Sequence, residues 1–136
     1  MNREGTPPAA VFDPSAEEVP PVLREILVRT DLPVLLLVAA DAEGPAQDMA
    51  VRMAEVRSRA HLPTLLADAD LDAPRLHAHL GLPNHEGLTD LFLFGASVAR
   101  VALSPEGETF RFIPAGAYAP DPAEVLESTR WDHISG

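Results

Sequence analysis

A chain of 136 residues, 46% of them hydrophobic and with a mean hydropathy of +0.03, has the size and composition of one globular domain with its own core. Its formal charge of −11 argues against nucleic acid and anionic membrane as partners, because phosphate neutralisation requires clustered positive charge. Cysteine and lysine are both absent, which excludes disulfides, thiolate nucleophiles, Schiff-base chemistry and the phosphate-binding lysine of a P-loop.

Residues 1–14 read as a polar, proline-bearing, flexible tail, and residues 15–136 as the domain. The tail has no apolar stretch of a signal peptide, and no apolar run reaches membrane-spanning length, so the expected location is cytoplasmic. Val19, Val22, Leu23, Ile26 and Leu27 form a helical stripe whose start is restricted by Pro20 and Pro21; a Ser15-x-x-Glu18 capping box competes with that start. Leu32–Ala39 is short and continuously apolar, the pattern of a central strand buried on both faces. Pro45 then suits a first helical position. Ala46, Met49, Ala50, Met53, Val56, Arg57 and Ala60 follow at helical spacing, with Arg57 laying its stem along the edge.

A second strand is predicted over Leu62–Ala67, then a helix opened by Asp72 and Pro74, lined by Leu76 and Leu80, and ended by Gly81. Three extended stretches are predicted next, Thr89–Phe94, Val98–Leu103 and Glu108–Ile113, the last two joined through Ser104-Pro105-Glu106-Gly107. Asp121-Pro122 opens a final helix. This order predicts an α/β sandwich with helices on both faces of the sheet.

The apolar strand running into Ala42-Glu43-Gly44-Pro45-Ala46 resembles the thioredoxin active site, Trp-Cys-Gly-Pro-Cys at the start of a long helix. The resemblance covers residues 17–130 and implies a three-layer α/β/α sandwich with a mixed central sheet, carrying an extra strand or hairpin. Glu43 and Ala46 then stand in place of the two cysteines, and Leu37 in place of the buried aspartate. The cis-proline position falls on Thr89 in one alignment and on Ala99 in another. Such a site keeps the field of a helix start but has no thiol, so thiol–disulfide oxidoreductase activity is excluded.

The function that this resemblance implies is a non-redox protein-binding module, a chaperone, scaffold or maturation factor. A hydrogenase accessory chaperone is one example. Its expected surface is Asp41, Ala42, Glu43, Gly44, Pro45 and Ala46 with Gly87, Leu88, Thr89 and Asp90. It implies a protein partner, no cofactor and no metal. Two alternatives stand beside it: a biosynthetic enzyme using Glu43, Asp41 or His85 as acid or base, and a structural subunit of a larger assembly.

Asp68-x-Asp70-x-Asp72 begins like a calcium loop, but its sixth and twelfth positions hold Ala73 and His79 where glycine and glutamate are needed, so a loop-and-cap role is predicted. His77 and His79, two apart, do not share a helix face as a metal pair would. Trp131 is expected to pack the last helix down.

Overall fold

The computed structural model describes residues 18–31, 35 and 45–116. In chain order they form α1 (Pro21–Leu27), α2 (Ala46–Arg59), β1 (Leu65–Ala67), α3 (Leu76–His79), α4 (Leu88–Leu93), α5 (Val98–Val101) and β2 (Arg111–Ile113). The architecture is mixed α/β with a small parallel sheet. β1 and β2 pair in parallel with Leu65 opposite Arg111, Leu66 opposite Phe112 and Ala67 opposite Ile113. Leu103 adds an antiparallel bridge to Phe112, with N–H to O=C distances of 2.7 and 2.8 Å.

Successive strand residues face opposite ways, and β2 uses this to anchor two helical layers. Phe112 packs with Val51 and Ala54 of α2, Leu76 of α3 and Phe110. Ile113 packs with Leu88, Leu91 and Phe92 of α4 and with Val101 and Ala102 at α5. Both β2 residues are fully buried. A further cluster joins α1 to the opposite side of α2 through Val19, Leu23, Leu27, Met49 and Met53.

Local chemistry explains several boundaries. Pro21 occupies the first position of α1, where its missing N–H is no loss. Arg57 of α2 donates to the carbonyls of Leu27 and Arg29 at 2.7 and 2.8 Å, satisfying acceptors left open at the end of α1. The stem expected to line the edge therefore ties two helices together. α3 begins at Leu76, after Asp72 and Pro74, and Gly81 follows it with φ +70°, a left-handed exit that glycine makes without strain.

Two predicted strands are helices. Thr89–Phe94 lies largely in α4 and Val98–Leu103 begins as α5. The start of α4 is secured by Asp90, whose Oδ2 accepts the Gly87 N–H at 2.7 Å. The next two N–H groups, of Leu88 and Thr89, donate to the carbonyls of Pro114 and Ala115 at 2.8 and 3.1 Å. Those tertiary partners outweigh the strand preference of Thr and Phe. α5 has a side-chain cap, Ser97 accepting the Arg100 N–H. The expected pairing of the last two stretches survives only as the Leu103–Phe112 bridge. The predicted strand Leu32–Ala39, apart from an exposed Leu35, lies outside the described residues, as do the N-terminal tail with Ser15, the helix at Asp121 and Trp131.

Candidate functional site

In parallel α/β sheets, ligand sites gather outside the carboxyl ends of the strands, where loops and helix starts converge. Here that edge follows Ala67 of β1 and Ile113 of β2. β1 runs into Asp68, which is 4% exposed. Its backbone N–H donates to the Ile113 carbonyl at 3.0 Å, extending the pairing by one bond. Its carboxylate accepts three backbone N–H groups: Asp70 on Oδ1 at 3.0 Å, and Arg75 and Leu76 on Oδ2 at 3.2 and 3.1 Å. Asp68 thus folds the connection back and serves as the cap of α3, a task expected of Asp72. Asp70 in turn accepts the Ala73 N–H at 3.2 Å. The loop-and-cap reading describes this aspartate run, and among the described residues no three His, Cys, Asp or Glu side chains gather as a metal would require.

β2 runs into Pro114-Ala115-Gly116, which receives the start of α4. Gly116, at φ +101°, is clamped by Asn84, whose Oδ1 accepts its N–H at 2.7 Å and whose Nδ2 donates to its carbonyl at 3.2 Å. A side chain at Gly116 would strike Thr89 Oγ1, and one at Gly87 would strike the Pro114 carbonyl, so both positions require glycine. Asp48, in the first turn of α2, pairs with Arg52 at 3.0 Å and lies 3.4 Å from His79 Nε2 on α3. The start of α2 is therefore held beside α3.

The expected surface divides accordingly. Gly87, Leu88 and Thr89 are buried under the segment that follows β2, and Asp90 is half-buried and occupied with Gly87. They do not form a contact surface, because their backbones seal α4 against the core. Thr89 as a cis-proline equivalent is likewise corrected: it sits inside α4. Ala99, the rival, lies within α5. Pro45 is exposed and Ala46 opens α2, whereas Asp41, Ala42, Glu43 and Gly44 lie outside the described residues. His85 is exposed, next to a Glu86 that pairs with Arg100 at 2.7 Å. No described contact brings His85 to the α2 start. Asp68, Asn84 and Gly116, which organise the edge, were not among the expected site residues. The available signal was an acid directly after the apolar run Leu65-Leu66-Ala67.

No family model matches the chain. Over 101 residues, 74% of this chain and 14% of the relative, it is 30% identical to the tyrosine-protein kinase wzc of Salmonella typhi. Over 98 residues, 72% of this chain and 40% of the relative, it is 31% identical to the tyrosine-protein kinase YwqD of Bacillus subtilis. Among solved structures, the chimerical protein CapA2B2 superposes with a TM-score of 0.58 at 29% identity, over 63% of this chain and 38% of that one. The VpsO kinase domain gives 0.60 at 25% identity, over 68% and 46%. The chain thus spans less than half the length of the relatives it matches. These similarities overturn the thioredoxin resemblance and the non-redox binding module, chaperone and scaffold readings that rested on it: the chain is similar in sequence and in fold to bacterial tyrosine-kinase domains.

Proposed function

We propose that the chain is a tyrosine-kinase-type domain unit that works in bacterial protein tyrosine phosphorylation. One observation carries this reading. The likeness to tyrosine-protein kinases runs through 98 to 101 residues, nearly three quarters of the chain, in two curated relatives. It recurs as a superposition on solved kinase domains at 25 to 26% identity. The edge formed by Asp68, Asp70 and Gly116, after the ends of β1 and β2, is where a parallel α/β domain of this kind places its functional loops. In the bacterium that encodes the chain, deletion of the gene is expected to change the abundance of at least one phosphotyrosine site at least about twofold, with recovery on complementation. An unchanged phosphotyrosine proteome, under conditions where the protein is made, contradicts the proposal.

A further inference from the structure

Kinases of the P-loop type hold phosphate with a loop whose pattern is G-x-x-x-x-G-K-[ST], placed between a strand and a helix. Its lysine reaches the terminal phosphates, and its hydroxyl holds magnesium. On the reading proposed above, the corresponding residues here lead into α2, and the glycine before the lysine is Gly44. The next two positions are then Pro45 and Ala46, and the first glycine of the pattern is Ala39. No cation, no hydroxyl and only one of the two glycines remain.

The structure agrees with the sequence on what this helix start offers. The residue before α2 is Pro45, which has no N–H to give to an anion, and no side chain caps the helix. The first turn carries Asp48, an anion already at the end of the helix that would attract phosphate. Acidic help for magnesium is also committed elsewhere. Asp68 is buried with both carboxylate oxygens taken by backbone N–H groups. The residues present do not fit a magnesium-bound nucleoside triphosphate.

We infer that this chain is a nucleotide-silent kinase-type unit in which Pro45 and Ala46, standing where the lysine and the hydroxyl would be, are what withholds ATP from the start of α2. The inference rests on the kinase-type reading, and one experiment separates the two. The purified full chain and its Pro45→Lys/Ala46→Ser variant are titrated with the fluorescent analogue mant-ATP and magnesium. Pro45 is exposed, and the half-buried Ala46 belongs to none of the three core clusters, so the substitutions leave those clusters intact. Circular dichroism confirms folding, and the single variant Pro45→Lys serves if the double one unfolds. Wild type is expected to show no saturable binding up to millimolar nucleotide, and the variant to gain affinity by at least about tenfold. Saturable micromolar binding by wild type overturns the inference while leaving the kinase-type reading in place. Silence in both proteins also overturns it, since Pro45 and Ala46 would then not be what withholds binding. That outcome leaves the kinase-type reading in place, because that reading rests on the likeness along the chain and not on these two positions.

Discussion

Asp68 shows how one side chain can fix the edge at the carboxyl ends of two strands. Its carboxylate gathers the N–H groups of Asp70, Arg75 and Leu76 while its own N–H prolongs the parallel pairing to Ile113. Replacing it by alanine strands one buried donor, that of Leu76, at a cost of roughly 1–3 kcal/mol, and two part-buried donors, of Asp70 and Arg75, that water can partly satisfy. Asp68→Ala is therefore expected to lose ~2–4 kcal/mol of stability in urea unfolding, with Asp72→Ala nearly neutral because Asp72 is exposed and caps nothing. Equal effects would contradict the assignment of the cap. Glu108 offers a pH test. Burial, followed by the hydrogen bond and repulsion from Glu55, raises its pKa above the ordinary carboxylate value, with Arg59 opposing. A carboxyl whose pKa is higher folded than unfolded takes up protons on folding, so stability falls as pH rises through that window. Glu108→Gln removes this loss. Its advantage over wild type is expected to be small, ~0.5 kcal/mol for a half-exposed group, present near pH 7 and vanishing as pH falls below 4. An advantage that grows on acidification contradicts the reading.

At the scale of elements, β2 is the keystone although it has only three residues. Phe112 and Ile113 send side chains to opposite helical layers, so truncating either opens a cavity against two elements. Phe112→Ala is expected to cost ~3–5 kcal/mol in chemical denaturation, against ~0.5 kcal/mol or less for Val22→Ala on the exposed side of α1. Similar costs for both would place the core elsewhere. Helix α2 and strand β1 were legible because their patterns are strong and local: apolar residues at helical spacing from Ala46, and an apolar run ending at Ala67. The helices α4 and α5 were not. Thr89, Phe92 and Phe94 favour strands, and the partners that make α4 helical, the carbonyls of Pro114 and Ala115, lie more than twenty residues away.

At the scale of the molecule, the misreading of family has a physical cause. An apolar strand, a Gly-Pro step and a long helix describe how many α/β folds place a helix start at a sheet edge, so Gly44-Pro45 could not single out thioredoxin. The absence of lysine was visible at once and removed the very residue by which a P-loop site would have been found. The same degeneracy now supplies the test. In a chimera, the aligned segment of a YwqD-type tyrosine kinase is replaced by its counterpart from this chain, with and without Pro45→Lys/Ala46→Ser. Tyrosine autophosphorylation is then measured on soluble, folded protein. The chimera with the native residues is expected to be silent, and the lysine- and serine-bearing one to autophosphorylate. Robust activity in the unsubstituted chimera, or folded chimeras silent in both forms, would contradict a kinase-type domain that has lost its grip on nucleotide.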